Sequence, residues 1–176
     1  MHLLNPNTYL EMHMLEILRR YRKLTFMAAV TVSSAACSGG GSTGGLDVEQ
    51  NYTISLNSAS EVPAPKATLA TGMADVVVYG ERIDWQLAGS NINAITMAHI
   101  HNGAIGVAGP VVVTLFAPGT ATGAINGIFA SGSFTAANLP AGVTLASLKA
   151  LLLSGNAYIN VHTVANPSGE MRGQLK

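Results

Sequence analysis

From about Tyr52 onward the chain is a series of short apolar or alternating runs, each bounded by Gly, Pro, Asn or Ser, and this punctuation constrains the fold more than any other feature. Runs of this length suit strands joined by tight connections. Strands are predicted over 52–57, 72–79, 82–88, 96–101, 111–116, 127–135, 157–163 and 170–175. Gly80-Glu81 is short enough to turn a hairpin between Val76-Val77-Val78-Tyr79 and the run that starts at Arg82. In that second run Ile83, Trp85 and Leu87 alternate with Arg82, Asp84 and Gln86, which places Trp85 in the core. One helix is predicted: Thr144 is a suitable N-cap, Leu145, Leu148, Leu151 and Leu152 follow at helical spacing, and Gly155 is placed to end it. The expected fold is all-β, a Greek-key-like antiparallel β-sandwich or barrel with one short helix capping an end.

The N-terminal part reads differently. Arg19, Arg20, Arg22 and Lys23 precede an apolar run, and small residues then lead to Cys37, the only cysteine. That order is the one expected of a secretory signal. The apolar run is about half the ~20 residues a spanning helix needs. Ser34-Ala35-Ala36-Cys37 resembles a bacterial lipobox, with Ser34 standing where Leu is usual, and the resemblance makes Cys37 the lipidation site. The alternative is ordinary signal cleavage that leaves Cys37 a free thiol. Met12 or Met14 would serve as the start of a shorter leader with the same pattern. The expected organisation is a signal segment over 1–37, a Gly/Ser-rich flexible tether over 38–50 and one domain over 51–176.

With that leader removed the domain is weakly acidic, keeping Lys66, Arg82, Lys149, Arg172 and Lys176 against seven carboxylates. It has no basic run and no aromatic–basic interleaving, so nucleic acid is not an expected partner. A single cysteine allows no internal disulfide, which leaves stability to the core.

Chemistry gathers in two segments. The first is Ala98-His99-Ile100-His101-Asn102-Gly103, running through Gly106 into Gly109-Pro110-Val111-Val112-Val113-Thr114-Leu115; the second is Tyr158-Ile159-Asn160-Val161-His162-Thr163, running through Pro167 into Gly169-Glu170-Met171-Arg172-Gly173-Gln174-Leu175. Strand alternation puts His99 and His101 on one face, opposite Ala98 and Ile100, and puts Tyr158, Asn160 and His162 on one face of the other strand. If the apolar members face the core, all three histidines point outward, and they converge if the two strands are neighbours. Imidazoles are good ligands for copper and zinc, so His99, His101 and His162 form a candidate three-histidine site with an open position, and Met97 shares the parity of His99 as a candidate thioether ligand. The competing reading is structural: the same side chains hydrogen-bond the backbone of the turn over 103–109 and hold its glycines in place.

Asn166-Pro167-Ser168-Gly169 has turn chemistry and should reverse the chain as a hairpin. Glu170, Arg172 and Gln174 share a face, expected to be solvated, with a Glu170–Arg172 contact; an exposed Arg172 recognising a carboxylate ligand is the functional alternative. No Gly-x-Ser-x-Gly or His-Glu-x-x-His occurs, and Glu61, Asp75, Glu81, Asp84 and Glu170 are scattered without an acid–base pairing. The glycines over 103–109 lack the Lys-Ser/Thr ending of a phosphate loop.

The two segments, with Thr53-Ile54-Ser55-Leu56 and Glu61-Val62-Pro63, closely resemble the CHRD domain named for its repeats in chordin, over about 52–175. The resemblance implies a β-rich extracellular or cell-envelope module, here a bacterial exported lipoprotein held at the membrane by its N-terminal lipid, facing the periplasm or on the outer membrane. It supplies no activity and no named partner beyond an envelope or extracellular one. The function expected is a non-enzymatic binding or structural module with a histidine-based copper or zinc site. The alternative is a copper-handling or metal-dependent redox protein, suggested by likeness to the His-x-His strand of copper/zinc superoxide dismutase.

Overall fold

The computed structural model describes residues 47–176, so the expected signal segment, Cys37 and most of the tether lie outside the described residues. Eight strands and one short α-helix make up the domain: β1 (Val48–Asn57), β2 (Thr71–Tyr79), β3 (Ile83–Ile92), β4 (Ile95–Asn102), β5 (Val111–Phe116), β6 (Ile125–Phe134), α1 (Leu145–Leu153), β7 (Ala157–Thr163) and β8 (Met171–Gln174), with a 3₁₀ turn at Ser58–Ser60. The strands form one antiparallel sheet in the order β5-β4-β7-β8-β1-β2-β3-β6. It curls into a nearly closed barrel, as the all-β reading expected.

Local hairpins account for β1-β2, β2-β3, β4-β5 and β7-β8. The pairs β4-β7 and β3-β6 join strands distant in sequence, and β1 meets β8 at the single pair Asn57↔Arg172. The turn at Gly80-Glu81 closes with the Tyr79 N–H donating to the Arg82 carbonyl at 2.8 Å, and Asn166–Gly169 turns β7 into β8.

Alternation decides which residues fill the barrel. Ile54 and Leu56, Ala74, Val76 and Val78, Ile83 and Leu87, Ala98 and Ile100, Ile159 and Val161, and Met171 all point inward and are buried. Trp85 lies on this face but is only half-buried; its indole covers Gly132, the cross-strand partner, where a Cβ would come within 2.7 Å of the ring. The helix seals one end. Leu148 and Leu152 enter the core, and the Tyr52 hydroxyl donates to the Leu152 carbonyl at 2.9 Å. Thr144 caps it as the sequence predicts, its hydroxyl accepting from the Ser147 N–H at 3.0 Å while Ser147 reciprocates. Gly155 follows the helix at φ +73°, a left-handed conformation that ends it without the penalty a side chain would incur.

The outer face has two halves of different character. Over β1, β2, β3 and β6 it is solvated and carries surface contacts such as Thr53–Asp75 and Ser133–Asp84. Over β4, β7 and β8 it is polar but buried, because three loops fold across it: 58–70, 103–110 and 164–170.

Candidate metal centre

The histidines occupy the buried half of the outer face. Register sets them in rows: Met97 opposite His162, His99 opposite Asn160 and then Arg172, and His101 opposite Tyr158 and then Gln174. The apolar neighbours of the histidines point inward as the alternation requires, so the parity expectation holds. Loops cover that outward face, so His99, His101 and His162 are only 7–8% exposed.

Pairing of β4 with β7 brings the three rings together. One ligand nitrogen from each lies within 4.8 Å of the others. The His99 and His162 centroids are 5.0 Å apart, those of His99 and His101 5.6 Å, and those of His101 and His162 6.4 Å. Hydrogen bonds fix the tautomers. His101 Nδ1 lies 2.8 Å from the Gly109 carbonyl and His162 Nδ1 lies 2.9 Å from the Pro167 carbonyl; a carbonyl only accepts, so each Nδ1 carries the proton and each Nε2 keeps its lone pair. His162 Nε2 then accepts from His99 Nδ1 at 3.1 Å. His101 Nε2 is buried with no partner among the described residues.

Burial disfavours the charged forms. It pushes the His99 imidazole down to about 4, helped by the nearby His162 and His101 rings. His162 is also lowered by burial and by His101, against the raising effect of its bond to Pro167. Neutral imidazole is the form that ligates a metal.

The surrounding polar groups form a second, hydrogen-bonded core. Tyr158 on the middle strand stacks on His101 with centroids 4.7 Å apart, and the Arg172 guanidinium sits 3.4 Å from its ring centroid. Arg172 is 1% exposed and donates to the carbonyls of Val107 at 3.0 Å and Ala104 at 2.9 Å, while Gln174 donates to the carbonyls of Gly103 and Gly155. The expected solvated face over Glu170, Arg172 and Gln174 is therefore wrong, and so is a free Arg172 presented to a carboxylate ligand. The loops bury these groups, and the carbonyls of 103–107 take the guanidinium donors. Glu170 pairs not with Arg172 but with the hydroxyls of Thr68 and Thr163. Glu61 is also buried here, its carboxyl pushed up by desolvation against the opposing Val62 N–H and Arg172 charge.

The structural reading holds for one histidine of the three: His101 bonds the backbone of the 103–109 turn, as Arg172, Gln174 and Tyr158 also do, whereas His162 bonds the Pro167 carbonyl and His99 bonds His162. Gly109 is required by close approach: a Cβ there would lie 1.8 Å from the Asn102 carbonyl oxygen. The two readings of the histidines are thus not exclusive, because the bonds that brace the loop also aim the free nitrogens. Tyr158, Asn160 and Glu61 are site residues that sequence reasoning left without a role, and Arg172 is one whose expected role, meeting a carboxylate, is replaced by bracing the loop. Their signal was parity for the first two and, for Arg172, a glycine-rich turn whose carbonyls need donors. A cleft of about 540 Å³ between β1, β8 and the 103–110 loop reaches Arg172 but none of the histidines, so it is separate from this centre.

The motif residues of both segments thus form one buried polar layer, and a family model described as the CHRD domain matches residues 52–175. The chain belongs to the CHRD domain family. The matched span begins inside β1 and ends just past β8, so the CHRD domain takes in almost the whole barrel, the three histidines and the loops over them. Neither the curated proteins nor the solved structures give a significant match.

Proposed function

We propose that this CHRD domain is an exported, non-enzymatic binding module whose three-histidine centre takes one transition-metal ion, copper or zinc. The observation that carries the reading is the pair of braced tautomers: Gly109 and Pro167 hold the Nδ1 protons of His101 and His162, which leaves two Nε2 lone pairs beside His99. Imidazole ligands in metal sites are held in this way, with the distal N–H on a carbonyl that fixes ring orientation. The buried Nε2 of His101, without a partner among the described residues, is the kind of polar atom a ligand would satisfy.

The spacing fits. Nitrogens sharing a tetrahedral ion at 2.0–2.1 Å are about 3.4 Å apart. The His99–His162 pair at 3.1 Å is already near that, and the rest of the set within 4.8 Å needs only side-chain rotation to close. For all three rings to hold one ion, the His99 proton would have to sit on Nε2 instead of Nδ1, which would turn a third lone pair inward beside those of His101 and His162. The protein would supply three neutral imidazoles, a braced loop and a largely water-shielded wall. The hydrogen-bond partners of the rings are carbonyls and another imidazole, none a hydroxyl that could serve as a nucleophile, which supports binding over hydrolysis.

The basic cluster, apolar run and Cys37 of the N-terminal segment support export and lipid anchoring in a bacterial envelope. Titration of the purified intact protein with copper and zinc tests the metal reading. The parent should bind one ion, and the variant with His99, His101 and His162 all replaced by Ala should lose it. Equal binding by both proteins would reject the site, and loss of stability with no ion bound by the parent would leave a purely structural module.

A further inference from the structure

We propose that the centre is a copper site in which Met97 supplies a thioether as the outermost ligand, so that Cu(I) is held in preference to Zn(II). The proposal rests on the three-histidine reading and adds a fourth ligand and a choice of metal to it. Met97 is the cross-strand partner of His162 and stands two positions before His99. Ile95, Ala98 and Ile100 are all core residues, so the switch of face between Ile95 and Met97 coincides with the register shift in β4 and puts Met97 on the histidine side. Side chains directly opposite on an antiparallel pair have Cβ atoms about 5 Å apart, which is within the span of a methionine with three rotatable bonds.

Burial points the same way. Met97 is 42% exposed between Ala98 at 0% and the buried His99, and it has no place in the apolar core. A large apolar side chain left at the rim of a buried polar layer gains little from packing there, so a ligand role is compatible with its exposure. The 103–110 and 164–170 loops offer His101 and His162 only carbonyl acceptors, so a fourth donor has to come from elsewhere, and Met97 lies in the row of His162. A donor set of three imidazoles and one thioether is soft enough to favour Cu(I), while Zn(II) takes imidazole readily and gains little from a thioether.

Two affinities measured on the intact protein decide the matter: Cu(I) by competition with a chromogenic Cu(I) chelator under reducing, anaerobic conditions, and Zn(II) by competition with a fluorescent zinc chelator. Met97→Leu, at an exposed position, should fold as the parent does. It should weaken Cu(I) binding by at least about tenfold and change Zn(II) binding by less than about twofold. His101→Ala should weaken both metals. Unchanged Cu(I) binding in Met97→Leu, or equal losses for the two metals, would overturn the thioether assignment while leaving the three-histidine site standing. A parent that binds neither metal, or a His101→Ala variant that binds both as the parent does, would overturn the underlying site and the thioether assignment with it.

Discussion

Arg172→Met removes the guanidinium that ties β8 to the 103–110 loop while keeping a side chain of similar length. The lost contacts are the bonds to the Val107 and Ala104 carbonyls at 3.0 and 2.9 Å, a weaker one to Gln174 at 3.3 Å, and the stacking on Tyr158 at 3.4 Å. Each bond from a charged donor contributes about 1.5–3 kcal/mol, and the desolvated cation–π contact about 2 kcal/mol. Methionine recovers part of this through packing, and removing a buried charge also removes its desolvation cost. The net loss should therefore be about 3–5 kcal/mol, the magnitude typical of breaking a buried charged network. In a domain of this size that corresponds to a fall in Tm of roughly 10–20 °C. Urea denaturation of the parent, Arg172→Met and Arg82→Met would measure it. Arg82 is the control because its pair with Asp84 at 3.0 Å is a third exposed, and exposed pairs contribute no more than about 1 kcal/mol. If Arg172→Met costs as little as Arg82→Met, the buried polar layer is not a second core and its burial has been misjudged.

Acid should destabilise the metal-free fold through His99. The ring is neutral in the fold down to about 4 but binds a proton near 6.5 when unfolded, so stability is full above about pH 6.5 and falls toward pH 4, by about 2–3 kcal/mol after allowance for solvent at the ring edge. Denaturation with chelator present at several pH values should show this slope reduced in His99→Gln, and an unchanged slope would refute it. Gly109→Ala forces a Cβ to within 1.8 Å of the Asn102 oxygen; it should cost at least about 2 kcal/mol and weaken metal binding, because the Gly109 carbonyl orients His101. Thr144→Ala should cost about 1 kcal/mol through loss of the helix cap without altering metal affinity, since α1 lies at the barrel end and contributes no ligand.

Much of the fold was legible in the residues. Strands at Val111–Phe116 and Ala157–Thr163 fall where the alternation predicts, and the capped helix ends before its glycine. The expected boundaries fall short where polar residues continue a ladder: β1 begins at Val48, before the apolar alternation from Tyr52, and β3 runs on to Ile92 through Gly89, Ser90 and Asn91. Backbone pairing extends those strands without apolar side chains to announce it.

At the site, parity alone placed His99 and His101 together and set His162 with Asn160 and Tyr158. Convergence required β4 beside β7, a pairing across β5, β6 and α1 that no local signal encodes. Burial was the least legible property. Arg172 and Glu170 read as surface residues because charged side chains usually are, and their burial depends on carbonyls of the 103–110 loop and on the hydroxyls of Thr68 in the 58–70 loop and Thr163 at the end of β7. Long-range cover of this kind leaves no periodic trace in the sequence.

X-ray absorption at the metal edge, on the intact protein loaded with one equivalent of copper and separately of zinc, tests the metal centre most directly. Three imidazole nitrogens at about 2.0 Å are predicted, reduced in each single His→Ala variant. A shell of oxygen scatterers with fewer than two imidazoles, unchanged by those substitutions, would contradict the three-histidine centre.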